Sequence, residues 1–181
     1  NETHSILQRM RELAVQAAND TYTTADRQKI QDELKQLQAE LDRIASTTEF
    51  NTQKLLDGSF ASKKFHIGAN SGQNITLSIA TMDAAALGVT TAAIGIAAGS
   101  AGSQQAAADA LITTLDTAIE NVSVERSKLG AYQNRLEHTI ANLQTAAENL
   151  AAAESRIRDL DMAQEMMAFT RNQILMQAGT A

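Results

Sequence analysis

The side chains able to hold a metal or carry a proton near neutral pH are His4, His66 and His138, which stand alone on separate stretches of the sequence. Zinc needs three or four converging ligands, and no paired histidine or HExxH spacing supplies them, so no metal centre is expected. The chain has no cysteine, which excludes disulfides, thiolate sites and cysteine nucleophiles. It also lacks a glycine-rich phosphate loop after a strand, a nucleophile elbow, and a carboxylate pair in an unusual setting. The chain reads as a non-enzyme without cofactor. Met162, Met166, Met167 and Met176 have the spacing of helix-packing groups, not of a redox centre. The glycosylation sequons at Asn74–Thr76 and Asn121–Ser123 read as ordinary polar residues.

With catalysis set aside, the elements carry the information. Apolar residues make up 44% of the 181, but only 3% are aromatic and proline is absent. Much of the apolar content is alanine, which favours thin, closely packed helices over a thick core. The missing proline suits long helices, since proline costs about 3 kcal/mol in a helix interior. A net charge of −6 without a basic block disfavours nucleic-acid binding. No apolar run approaches the roughly 18 residues of a membrane span, and residues 1–20 lack a signal-peptide pattern.

Residues 3–19 read as a helix with two competing apolar registers, Ile6–Met10–Leu13–Ala17 and Leu7–Met10–Ala14–Ala17. Thr21–Thr24 break it, with Thr23 or Thr24 as the next N-cap and Asp26 in the first turn. A second helix to about Ser46 carries a coiled-coil seam, Ile30, Leu34, Leu37, Leu41 and Ile44, with Lys29–Glu33 and Glu40–Arg43 pairing on its wet side. Asp57-Gly58 marks a turn, and the alternation in 64–67 and 74–80 around the loop 68–73 predicts a β-hairpin. Residues 88–103 are small and Gly/Ala/Ser-rich, a connector with too little bulk for a domain. From about 104 to 158 a 4-3 ladder runs through Leu115, Ile119, Val122, Leu129, Leu136, Ile140, Leu143, Ala147, Leu150 and Ile157, broken by polar rungs at Arg126, Gln133 and Glu154. Such a helix would span roughly 80 Å and must run against other helices as a rod. Gly130 inside it suits a close helix approach. The fold expected is mainly α: an elongated antiparallel bundle of long, coiled-coil-like helices with a small β-hairpin region.

Five stretches together resemble one family. They are Leu7–Gln16, the pair Thr48–Asn51 and Lys54–Gly58, Phe65–Asn70, Lys128–Leu136, and Ala153–Asp159. Their types and order are similar to bacterial flagellin, the subunit of the flagellar filament, over nearly the whole chain outside residues 85–105. The resemblance implies a stalk with residues 1–84 as its N-terminal part and 85–105 as a short connector in place of the outer variable domain. It further implies a long C-terminal stalk helix over 106–159 and, in 160–181, the start of the C-terminal filament-core segment. Most of the terminal filament-forming segments would then lie outside this stretch, which on its own would be monomeric or weakly self-associating. Met162, Met166, Phe169, Ile174 and Leu175 would pack on sequence outside it.

The resemblance also implies an extracellular, secreted motility protein whose partners are other flagellin subunits and the vertebrate flagellin-sensing Toll-like receptor. Neither nucleic acid nor membrane is implied. The alternative relative is a hook–filament junction protein. Receptor-binding positions carry over to Arg9, Leu13 and Glu33, with Gln16 and Arg135 beside them. Arg9 and Leu13 are four apart and share a face, and an arginine beside an exposed leucine is a frequent hot-spot pairing. Spacing by itself favours another placement, with Leu13 in the core register and Arg9 solvated. The motif match points to recognition.

Overall fold

In the computed structural model, which describes residues 1–158 and 162–179, helices α1 (Glu2–Ala17) and α2 (Thr24–Thr47) pack together as the first pair. The break between them works as predicted, with Thr23 as the N-cap. Its hydroxyl accepts from the Asp26 amide at 3.3 Å, and the Asp26 carboxylate accepts from the Thr23 amide at 3.4 Å, a reciprocal capping box. The Thr23 hydroxyl also donates to the Asp26 carboxylate at 2.7 Å, and this bond first, then the one from the Thr23 amide, holds the Asp26 carboxyl below its ordinary range, helped by Lys29.

The chain divides into two compact units, residues 1–134 and 135–181. In the first, α1 is antiparallel to α2, since Arg9 meets Glu33 and Ala17 meets Arg27. It is also antiparallel to α3 (Ala101–Arg158), where Arg11 meets Asp116. Consequently α2 and α3 start at the same end, where Thr24 and Arg27 reach Gln104.

The core of this unit is aliphatic. Leu7, Met10, Leu13, Ala14 and Ala17 of α1 face Ile30, Leu34 and Leu41 of α2 and Leu111, Leu115, Ala118 and Val122 of α3. Both registers proposed for α1 contribute, because a helix between two others needs a stripe wider than a coiled-coil seam. For the same reason α3 buries Ala118 and Glu125 where the sequence ladder placed Ile119 and Arg126; Ile119 is half-buried and Arg126 exposed.

Two pairs of short strands follow α2. The predicted hairpin is present as β3 (Lys63–His66) and β4 (Asn74–Leu77), antiparallel with Phe65 opposite Ile75. Ahead of it, β1 (Glu49–Phe50) and β2 (Gln53–Lys54) form a tight hairpin that the periodicity did not indicate. Its turn holds Asn51 and Thr52 at φ 49° and 63°. Two consecutive left-handed residues match the right-handed strand twist, and at the β-branched Thr52 this conformation is strained.

Residues 88–103, expected as a connector with too little bulk for a domain, are anchored on the first unit. Leu87, Val89, Ile94 and Ile96 are buried in the core. The irregular backbone closes some of its hydrogen bonds in local turns, such as Val89 N–H to Ala84 O at 2.8 Å and Ile94 N–H to Thr90 O at 3.1 Å, and helix side chains bind further amides. Glu125 accepts from the Ala80 amide at 3.4 Å, Asp42 from Ala84 at 2.9 Å, and Gln31 from Ala97 at 2.9 Å. Gly130, by contrast, faces open space: a methyl there would meet nothing within 4 Å. The close approach expected there is absent among the described residues.

At the shared start of α2 and α3 sits Arg27, 1% exposed. Its guanidinium donates to Ala17 O at 2.9 Å, Asn19 O at 3.1 Å and Gln104 Oε1 at 3.1 Å. Fully buried Gln104 passes the connection on, donating to Ala97 O at 3.1 Å and Gly99 O at 3.0 Å. Helix α1 has no basic residue in its last turn, so Arg27 supplies the cation that its C-terminal carbonyls favour.

The second unit holds the remainder of α3 and α4 (Met162–Gly179). Here Ile140, Leu143, Leu150 and Ile157 of the predicted ladder are exposed, as are Met166, Met167, Phe169, Ile174, Leu175 and Met176. The side chain of Met162 lies outside the described residues.

Replacing Arg27 with Met removes donors from buried carbonyls and is expected to lower stability by about 2–4 kcal/mol. Arg27→Lys should not rescue it, because one ammonium cannot span acceptors on both sides. Denaturant unfolding measures both variants, and wild-type stability in the lysine variant would refute the bridging role.

Candidate interaction surface

The recognition residues proposed from the sequence fall into different environments. Arg9 projects from α1 with its side chain 52% exposed, and donates through Nε at 3.2 Å and Nη2 at 2.9 Å to Glu33 Oε1 on α2. Glu12, one turn along α1, takes Nη1 at 3.1 Å. The hydrogen bond to Glu33 is the main cause raising the Arg9 guanidinium above its ordinary range. Exposed ion pairs contribute little to stability, so this cluster acts mainly as an ordered charge pattern. An earlier expectation gave Glu33 to Lys29; instead Lys29 lies 3.5 Å from Asp26, leaving Glu33 to bridge the helices. The other expected pair, Glu40 with Arg43, is present at 2.5 Å.

Gln16 lies on the same helix, exposed, and donates to the Tyr22 hydroxyl at 3.0 Å. Leu13 does not join this surface. It is 2% exposed and belongs to the core, which corrects its reading as an exposed hot-spot leucine. The reason is register: Leu13 continues the line Met10–Leu13–Ala17, and α1 is covered on that side by two helices. Arg135 stands on α3 in the second unit, exposed to solvent and engaged in further polar interaction of its own.

Around the corner from Arg9, Arg11 Nε donates to Asp116 Oδ1 at 2.5 Å, joining α1 to α3. A shallow groove beside this pair is lined by Gln8, Arg11, Glu12, Asp116 and Ile119. Sequence reasoning missed Arg11, and it missed Arg27, Gln104 and Glu125. For the last three a signal existed: each occupies an apolar rung, Arg27 three before Ile30, Gln104 four before Ala108, and Glu125 three after Val122. Among the described residues no group of three or more His, Cys, Asp or Glu side chains is placed to hold a metal ion, and no helix is long and apolar enough to cross a membrane.

The first unit carries an ordered charge cluster on a bundle of helices, and the second unit consists of helices with exposed apolar residues, which makes this a predominantly helical protein. Residues 1–61 match the bacterial flagellin N-terminal helical region and residues 112–181 the bacterial flagellin C-terminal helical region. The chain is 51% identical to the flagellin of Halalkalibacterium halodurans over 181 residues, covering all of this chain and 64% of that protein. It is 49% identical to the flagellin of Bacillus subtilis, covering 99% of this chain and 68% of that one. The flagellar filament 33 kDa core protein of Treponema phagedenis is 50% identical, with 99% and 66% covered. The crystal structure of Bacillus cereus flagellin superposes with a TM-score of 0.62 at 35% identity, covering 83% of each chain. The chain belongs to the bacterial flagellin family.

Truncating Leu13 to Ala is expected to cost about 2–5 kcal/mol, the range for an aliphatic core cavity. Arg9→Ala should leave the unfolding midpoint unchanged. Thermal unfolding of the two variants tests the assignment, and equal losses would contradict it.

Proposed function

We propose that this chain is the helical stalk of a subunit of the bacterial flagellar filament, packing against neighbouring copies through its long helices. The observation that carries this is the apolar stripe of the second unit, where Ile140, Leu143, Leu150 and Ile157 are 55%, 43%, 71% and 87% exposed. Contiguous apolar surface on long helices is unfavourable in water and marks a packing face. Family membership, and the likeness to the flagellar filament 33 kDa core protein of Treponema phagedenis, support the same reading. The filament lies outside the cell, so the subunit is a secreted structural protein of motility, not an enzyme. Residues 85–105 stand where the outer variable domain would otherwise be inserted.

The test uses the full natural gene product. Light scattering and electron microscopy should show filaments from the wild-type chain and none from an Ile140→Asp/Leu143→Asp variant whose helical circular dichroism is unchanged. Wild-type polymerisation by that variant would sink the proposal.

The same stalk is also a ligand of the vertebrate flagellin-sensing Toll-like receptor, through Arg9, Gln16 and Glu33 with Arg135. What supports this is the exposed, cross-braced Arg9–Glu33 pair, a pre-oriented charge pattern of the kind that gives an interface its specificity. Leu13 contributes from beneath, holding α1 in place. In receptor pull-downs, Arg9→Ala and Glu33→Ala should each weaken capture of the monomer. Unchanged capture by both would remove the assignment.

A further inference from the structure

Of the six methionines of the chain, the five whose side chains are described sort by exposure. In the first unit, Met10 is fully buried and Met82 is 8% exposed, whereas on α4 Met166, Met167 and Met176 are 55%, 63% and 70% exposed. Met166 and Met167 share one groove with Thr170, Arg171 and Ile174. At about 100° per residue, Met167 points about 100° to one side of Met166 and Met176 about 80° to the other. The sulfurs therefore face several directions around the helix, interleaved with exposed Phe169, Ile174 and Leu175. A helix apolar on so many sides is suited to burial among several partners.

The geometry points to Met166, Met167 and Met176 as a modification site for two-electron oxidants of the peroxide class, with sulfoxide formation there disabling the packing of α4. A thioether lone pair forms an S–O bond to one peroxide oxygen while the O–O bond breaks. Hydroxide leaves, takes the proton from the oxygen now on sulfur, and departs as water. Sulfur is oxidised by two electrons and the peroxide is reduced. The product is a polar, hydrogen-bond-accepting sulfoxide in place of a flexible apolar group, reversible by methionine sulfoxide reductases. Met10 and Met82 escape because close-packed neighbours deny the oxidant access. The effect on packing rests on the filament reading; the order of oxidation does not.

The full natural gene product, kept monomeric, is treated with limiting hydrogen peroxide and mapped by peptide mass spectrometry. Met166, Met167 and Met176 are expected to gain oxygen about tenfold sooner than Met10 and Met82. The oxidised chain should then lose polymerisation by light scattering and regain it after treatment with methionine sulfoxide reductases A and B. Oxidation of Met10 and Met82 in step with those of α4 would overturn the site, and so would undiminished polymerisation of the oxidised chain. If untreated protein never polymerises, the filament reading fails, while the order of oxidation still decides whether these residues are the site.

Discussion

The first unit depends on a buried guanidinium. A charge taken out of water is costly unless its donors are used, and Arg27 uses them on Ala17, Asn19 and Gln104. Asp20 stands at 3.9 Å and is itself exposed, so the compensation comes mainly from carbonyl dipoles. That choice has a structural consequence. An apolar residue at this point would pack but would not say which helix ends belong together. The planar donor fork joins the end of α1 to the starts of α2 and α3 in one geometry. Gln104 then extends the connection to the segment that precedes α3.

Below that junction the unit is held by ordinary means, through aliphatic rungs from three helices. Alanine at 14, 17, 108 and 118 lets the backbones approach closely. Polar cross-braces lie on the outside, Arg9 to Glu33 and Arg11 to Asp116. The second unit has long helices too, but its apolar residues face outward. The earlier rungs of the sequence ladder thus close a core within the first unit, whereas its later rungs stand exposed in the second.

This division explains what the sequence made legible. Helix extents, the Thr23 cap and the β3–β4 hairpin follow from local rules, and local rules are written in adjacent residues. The family followed from motifs in order. Burial of Leu13 was harder, because it stands in only one of the two competing α1 registers and its burial depended on how many helices surround α1. Arg27, Gln104 and Glu125 look like interruptions when read along one helix. They become intelligible when partners from other segments are brought beside them: Ala17, Asn19 and Gln104 for Arg27, Ala97 and Gly99 for Gln104, and Ala80 for Glu125, which also pairs with Lys128 on its own helix. The anchoring of segment 88–103 was hidden for a similar reason: few bulky residues suffice when each reaches a core that other elements have built. The β1–β2 turn lacked the usual Asn-Gly signal, since Thr52 occupies the second left-handed position.

The segment from Ala80 to Gly99 has one more implication. It has little regular structure of its own, and single side chains from α2 and α3 hold its amides at Ala80, Ala84 and Ala97. It can therefore detach as a piece while the three helices persist, a sub-global opening below the free energy of complete unfolding. Detachment still pulls six buried side chains into water, Met82, Ala84, Leu87, Val89, Ile94 and Ile96, so the open form is rare. A protease must wait for that form before it can cut within this segment, so cleavage there reports the local opening and not complete unfolding.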